Sequence, residues 1–442
     1  MKPGARDTAF ALGSRVGVLA IGLAIQSTLA WALGPEGRGS YAVCLLFATI
    51  LGTVFTFGMD RAGQYFAASG RLAVPDSVRA MIAALLAGSA LGVAVGWALI
   101  SLDLPFFAKA SRSSFYVSLS VIPFVAVQNA FVMVLIGMRK IGLVAIVTIT
   151  SVAVQLAAAL ALVLGLGLGV QGALWSVVIA DTVTIAVALG AFRREGWLRA
   201  GRVTLSSMGA LAGYGVRYYV AKLSTMVHFR VGTLLLAFFV SPAEIGLFAA
   251  ASQLTGRVTL ISKAVEMALF PRVAGDERGR PELVARSGRV TMLAVAAVLC
   301  LLVALSWPIV AVVLSPEFLP AVPLIWIVAP GVLARSGANV LMTFYMATNR
   351  PAVCSWSVGL GMAANVLAIL VLLPRFGLAG AAWAMTIGYV MSWSILLAAF
   401  HRSTGRGVVE TWRPRRGDVV LLLDGVRQVC SVALRRRPAE GA

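Results

Sequence analysis

Charge is scarce in this chain of 442 residues: only 12% are charged, with 17 Asp and Glu set against 37 Lys and Arg. Soluble domains average about 25% charged residues, so a water-soluble globular protein is excluded at once. Histidine is limited to His228 and His401, too few and too far apart for a ligand set. The four cysteines, Cys44, Cys300, Cys354 and Cys430, stand singly. That scatter excludes a disulfide framework or a zinc site, and it predicts buried thiols inside the apolar runs. No complete P-loop or dinucleotide fingerprint follows a strand-like segment. No outer carboxylate pair or Ser/His/Asp set is present. No catalytic residue, metal or cofactor is expected.

Apolar residues are abundant instead, at 60% with a mean hydropathy of +0.92. A bilayer core needs roughly 20 apolar residues per helix. The chain offers twelve such runs, near 9–33, 39–59, 79–102, 114–138, 142–166, 169–192, 209–238, 242–269, 290–314, 322–347, 352–373 and 377–400. The expected fold is therefore an all-α polytopic membrane protein with twelve transmembrane helices. A further stretch, Val419 to Leu434, is broken by Asp424, Gly425 and Arg427, and its helical spacing suits a helix lying on the membrane surface.

The basic residues sort by side. Of the 37, 26 fall in segments on the side of the N-terminus, four (Arg38, Lys109, Arg112, Arg375) on the opposite side, and seven inside spans. By the positive-inside rule both termini are cytoplasmic. The surplus charge then orients the protein and meets anionic membrane lipids, and no nucleic-acid partner is expected. Lys2 and Arg6 before an apolar run ending in Ala30-Trp31-Ala32 resemble a cleavable signal. The length of the run, Arg15 within it and the internal repeat of the chain favour a retained first span.

That repeat shows in two motifs. Gly34-Pro35-Glu36-Gly37-Arg38-Gly39-Ser40-Tyr41-Ala42 reads like Ser241-Pro242-Ala243-Glu244-Ile245-Gly246-Leu247-Phe248-Ala249, an offset of 207 from Gly39 to Gly246. Gly169-Val170-Gln171-Gly172-Ala173-Leu174-Trp175 matches Gly377-Leu378-Ala379-Gly380-Ala381-Ala382-Trp383 at an offset of 208. Agreement to one residue over that distance indicates duplication. With six spans per unit both halves enter from the same side, a parallel pseudo-two-fold repeat. The expected division is a six-helix lobe over 1–200, a second over 201–402, and a basic tail over 403–442.

Arg15, Arg217, Lys222, Arg230, Arg257, Lys263 and Arg335 lie within spans, where a charge at the bilayer centre costs roughly 2.5–3.5 kcal/mol. Lys222 and Arg335 fall near mid-span, and Arg15 and Lys222 are equivalent under the 207 offset. Arg217, Ser224 and His228 stack on one stripe of the seventh span. Arg15, Arg217, Lys222, His228, Arg257 and Arg335 are thus candidates for lining a hydrated cationic cavity between the lobes. Asp181, deep in the sixth span, is left as either a structural partner of Arg335 or Arg257 or a site for a coupling cation. The excess of cations at depth implies an anionic cargo.

The turn after span one (Gly34 to Tyr41), the turn Pro374-Arg375-Phe376-Gly377-Leu378-Ala379-Gly380-Ala381-Ala382, and Ala268-Leu269-Phe270-Pro271-Arg272 ending span eight resemble the Wzx-type oligosaccharide flippases. These belong to the multidrug/oligosaccharidyl-lipid/polysaccharide superfamily. The resemblance covers about residues 8–400, and twelve spans plus a basic tail differ from the usual fourteen spans of the lipid-linked peptidoglycan-precursor branch. It implies a cavity between two lobes, walled mainly by spans one, two, seven and eight, at the cytoplasmic membrane. The implied cargo is an oligosaccharide on a polyprenyl diphosphate, moved from inner to outer leaflet for cell-surface polysaccharide biosynthesis. A polysaccharide polymerase or glycosyltransferases are the implied protein partners. Two alternatives stay open: an ion-coupled small-molecule exporter, and a membrane enzyme acting on lipid-linked glycans. The first would favour an acid-lined cavity, the second a sizeable outer segment.

Overall fold

A computed structural model describes residues 3–102, 104–198, 204–275, 280–405, 412–413 and 417–418. Helix dominates and no strand occurs among the described residues. The helices are α1 (Pro3–Phe55), α2 (Met59–Ser69), α3 (Val74–Ile100), α4 (Arg112–Gly137), α5 (Ile141–Ala159), α6 (Gly169–Arg194), α7 (Leu205–Phe239), α8 (Pro242–Arg257), α9 (Thr259–Gly275), α10 (Arg280–Ala304), α11 (Ser306–Ile309), α12 (Val322–Ala347) and α13 (Pro351–Thr404). Each of the twelve apolar runs lies mainly on helix. Among the described residues, eight helices are long and apolar enough to cross a membrane. Two of these hold two apolar runs each: α1 kinks at Gly34 (φ 60°) and α13 at Gly377 (φ 55°), so each turns back without losing helical geometry on either side. The expected continuous run over 242–269 is instead interrupted at Val258, between α8 and α9. The surface helix expected over 419–434 lies outside the described residues.

The sequence recurrence extends to backbone conformation. Gly169 and Gly377 both adopt left-handed φ, at 53° and 55°. So do Arg139 and Asn349, both at 56°, and Gly196 and Gly405, at 74° and 69°. At the 139 and 349 turns the same capping bond closes the preceding helix: Lys140 N to Leu135 O at 2.9 Å, and Arg350 N to Tyr345 O at 2.8 Å. Pro123 in α4 and Pro330 in α12 repeat at the 207 offset, each removing one rung from its helix ladder.

The residues group into two compact units, Met1–Ala249 with Ala311–Phe318, and Ala250–Val310 with Leu319–Ala442. In the first, the core is Met81, Leu85, Phe131, Leu135 and Phe192, which join α3, α4 and α6 under α2. A second knot of edge-to-face rings, Phe47, Phe107 and Phe115, seals the 3-10 turn at Pro105–Lys109 against α1 and α4. In the second unit Leu341, Tyr345, Cys354, Leu396 and Phe400 pack α12 against both arms of α13. Trp412 joins this core, its ring lying against Gly288 and edge-on to Trp393. Beside it the buried Arg289 pairs with the equally buried Asp418, Nε to Oδ2 at 2.8 Å. The described part of the tail is thus fastened to the start of α10. Cys44 and Cys354 are buried as the sequence predicts, but Cys300 departs from that expectation: it is exposed on α10.

Candidate functional site

Of the six residues expected to line a cationic cavity, Arg15 falls on α1 and Arg217, Lys222 and His228 on α7. The side chains of these four lie outside the described residues. Arg257 is the last residue of α8 and is half-buried. Arg335, half-buried on α12, donates from Nη1 to the Tyr389 hydroxyl at 2.9 Å and lies 5.1 Å from the centre of that ring. The Tyr389 phenol thus helps to orient the guanidinium.

Asp181, on α6, is only 7% exposed, and its Oδ2 has no hydrogen-bond partner. No described ion pair involves it. It lies within electrostatic reach of Tyr41 on α1, a residue that also senses Arg38. Arg38 is a surprise of placement. Sequence assigns it to an outer turn, yet it is 3% exposed. It donates from Nη1 to the Gln26 carbonyl at 2.8 Å and from Nη2 to Gln26 Oε1, and lies 5.8 Å from the Phe318 ring centre. The kink at Gly34 folds the guanidinium back along α1 and ties the two arms of the hairpin together.

Within the first unit the second arm of α1 meets α7 and α8 at both of its ends. At one end Gly39 and Gly246, equivalent under the repeat, touch through bare backbone. A Cβ at Gly39 would run into the Pro242 carbonyl, and one at Gly246 into the Pro35 carbonyl. Prolines 35 and 242 are themselves repeat equivalents, so the contact is reciprocal. At the other end α1 breaks at Phe55, with Phe57 (φ 47°) and Gly58 (φ 72°) left-handed. Here Gly58 faces the Gly215 carbonyl, and Gly215 faces that of Phe57. The Tyr219 hydroxyl donates to the Val54 carbonyl at 2.6 Å, serving an acceptor that the helix end leaves without a partner. Tyr214 stacks on Tyr65 at 4.2 Å and 13°, and Arg61 lies 5.5 Å from the ring centre of Tyr218.

The sequence reading passed over these tyrosines. The signal was there: 214/218 and 215/219 are i, i+4 pairs, which put the stacking rings and the glycine on one side of α7.

A cavity of about 270 Å³ lies between the second arm of α1 and α4 in the same unit. Thr49, Thr53 and Thr56, with Asp60 from the first turn of α2, form one wall, and Ile122, Val125 and Asn129 belong to the other. The sequence reading used none of these for binding, although the spacing 49, 53, 56 marks a polar stripe on an apolar run.

The described architecture is all-helical and multi-pass, with eight helices long and apolar enough to cross a membrane among the described residues. The sequence matches the family described as "Polysaccharide biosynthesis protein" over residues 5–275, and the chain belongs to that family. The fold resembles that of the lipid II flippase MurJ in its inward closed conformation, with a TM-score of 0.77 at 12% identity, covering 94% of this chain and 92% of that one. It also resembles a multidrug resistance MATE family transporter of the MOP superfamily. In the inward-facing conformation the TM-score is 0.66 at 13% identity, covering 87% of this chain and 93% of that one. In the outward-facing conformation it is 0.59 at 13% identity, covering 89% and 93%. No curated protein matches the sequence significantly.

Proposed function

We propose that this protein carries a polyprenyl-diphosphate-linked oligosaccharide from the inner to the outer leaflet of the cytoplasmic membrane by alternating access. The observation that carries the reading is a fold like that of a lipid II flippase, in a polysaccharide biosynthesis family, whose apolar spans hold seven Lys and Arg. In this reading twelve spans form two lobes, 1–200 and 201–402, with both termini and the tail in the cytoplasm. Exposed tryptophans mark span ends: Trp31, Trp97, Trp175, Trp307, Trp326 and Trp383 stand near ends assigned to the outer face and Trp356 near an inner one, as indole rings favour both interfaces.

The cations would act on the diphosphate. Arg15, Arg217, Lys222 and Arg257 occupy the helices assigned to the cavity, and Arg335 offers a guanidinium oriented by Tyr389. The sugars would travel in water while the prenyl tail stays in the acyl layer. With the interior negative, moving each negative charge outward gains roughly 2.3 kcal/mol per 100 mV, so the membrane potential favours export. The seams at Gly39–Gly246 and Gly58–Gly215 would open alternately.

A second reading, an ion-coupled exporter, is favoured by one observation, the buried Asp181. Vesicles with a fluorescent diphosphate-polyprenyl oligosaccharide in the inner leaflet separate the two. The wild type is expected to export the label, and Lys222→Ala or Arg257→Ala to slow export about tenfold. Undiminished rates in both variants remove the cation argument. Abolition by Asp181→Asn together with export of organic cations favours the exporter.

A further inference from the structure

The cavity between α1 and α4 has a chemistry of its own. On one wall each threonine hydroxyl spends its hydrogen on the backbone: Thr49 Oγ1 on Leu45 O at 2.6 Å, Thr53 Oγ1 on Thr49 O at 2.8 Å and Thr56 Oγ1 on Thr53 O at 3.1 Å. What these oxygens have left to offer is lone pairs. Asp60 adds carboxylate oxygens from the first turn of α2. Asn129 stands exposed at the rim with both a donor and an acceptor. The facing wall, Ile122 and Val125, is aliphatic. The cavity therefore wants a ligand with several hydroxyl donors along one edge and an apolar face opposite.

Size narrows the class. A metal ion draws its oxygen ligands to within roughly 2.6 Å and would leave most of 270 Å³ empty. Binding sites for drug-sized molecules start at about 300 Å³, so an oligosaccharide does not fit whole. A single pyranose ring, with hydroxyls on its rim and C–H groups on its faces, matches both the volume and the split between the walls.

We infer that this cavity is a subsite for one sugar ring of the glycan head group, its hydroxyls held by Thr49, Thr53, Thr56 and Asp60. The subsite rests on the lipid-linked glycan reading and adds to it the element that distinguishes a glycosylated carrier from a bare one. Diphosphate contacts cannot do so, because every carrier of this kind shares them. None of the expected cations is among the residues lining the subsite, so recognition of sugar and of phosphate is separable by mutation.

The test uses the full-length protein in lipid nanodiscs and two fluorescent probes: a polyprenyl diphosphate carrying N-acetylglucosamine, and the same lipid without sugar. A parallel measurement records saturation-transfer NMR with the methyl glycosides of glucose, galactose and N-acetylglucosamine. The wild type is expected to bind the sugar-bearing lipid about tenfold tighter than the bare one, as one or two lost hydrogen bonds would predict. Thr53→Val and Asp60→Asn are expected to erase that preference without changing affinity for the bare lipid, and Thr53→Ser to keep it. Equal affinity of the wild type for both lipids, with no glycoside signal, overturns the subsite and leaves the flippase reading standing. A glycoside signal that Thr53→Val removes, in a protein that binds neither lipid, upholds the subsite and overturns the lipid-linked reading. A preference that survives both substitutions overturns the subsite.

Discussion

The two ends of the second arm of α1 close on α7 and α8 by different means. At the Gly39 end backbone meets backbone between repeat equivalents, with one ring pair beside it, Phe106 and Phe238 at 5.6 Å. At the Gly58 end the same kind of glycine contact is surrounded by side chains, with a tyrosine hydrogen bond, a stacked tyrosine pair and an arginine over a ring. The difference is one of tolerance. A bare backbone seam has few attractive contacts beyond dispersion, so it parts cheaply, but it accepts no added atom. The decorated seam is held by groups that can each be trimmed for a modest cost. On the proposed orientation the first is the outer closure and the second the inner one, so the inner face would be the better sealed when both are shut.

The sharpest way to break the comparison is at Gly39. Valine there places three carbons where the Pro242 carbonyl now lies, and overpacking of this kind costs about 1–3 kcal/mol when it can be absorbed at all. Gly39→Val is expected to lower the vesicle export rate by more than tenfold, and Gly246→Val to reproduce it, because the contact is reciprocal. Equal export in the wild type and both variants would mean that the seam never closes during transport.

Next comes Gly58. Its φ of 72° is one that a residue with a Cβ adopts at a cost of roughly 1–2 kcal/mol, and the added carbon would press on the Gly215 carbonyl. Gly58→Ala is expected to slow export about fivefold and to lower the thermal midpoint. If only the midpoint falls, the break in α1 is structural and the inner seam is not a moving part.

How much of this could be read beforehand depends on whether the cause is local. Apolar runs of membrane length, the duplication and the turn glycines are local properties. Gly169 and Gly377 stand in matching motifs and both turn out left-handed. The reciprocal contact of Gly39 with Gly246 was legible in half: sequence pairs them as equivalents, but no pattern says that equivalents must touch. The burial of Arg38 went unread for the same reason. A hydropathy reading ends the first span near residue 33 and assigns the next residues to a turn, whereas the kink at Gly34 returns the guanidinium to Gln26. The break at Val258 had no proline or glycine run to announce it. The tyrosine face of α7 was hidden by its neighbour Arg217, since a charge in an apolar helix outweighs three rings that read as ordinary interfacial residues. The sugar-sized cavity was hidden because threonine is unremarkable on a membrane helix until a second helix leaves room in front of it.

Tyr219 isolates the polar part of the inner seam. Tyr219→Phe keeps the ring, its 5.6 Å contact with Phe57 and the helix packing, and deletes only the donor to the Val54 carbonyl. That carbonyl sits in the last turn before the break, where the ladder supplies no amide, so it would be left to water or to nothing. The net loss is about 1 kcal/mol, a factor of roughly five in the balance between closed and open. Because the loss falls on the closed form alone, an accessibility reagent reacting with a cysteine placed at Val54 should label the variant about fivefold faster than the same cysteine in the parent.

The smallest effect sharpens the comparison most. Tyr65→Leu removes a stacked ring worth about 0.5–1.5 kcal/mol beyond its buried area and leaves Gly58, Gly215 and Tyr219 in place. If the inner seam is a sum of separable contacts, Tyr65→Leu and Tyr219→Phe should add in the labelling rate, since the stack and the hydrogen bond share no atoms. If the seam closes as one unit around the Gly58–Gly215 contact, the double variant should label no faster than Tyr219→Phe alone. The Gly39 end offers the control, because neither Tyr65 nor Tyr219 contributes a contact there: neither substitution should change labelling of a cysteine at Ser40. A rise there would show that the two ends are coupled through α1 itself, and that the bare seam is held shut by the decorated one.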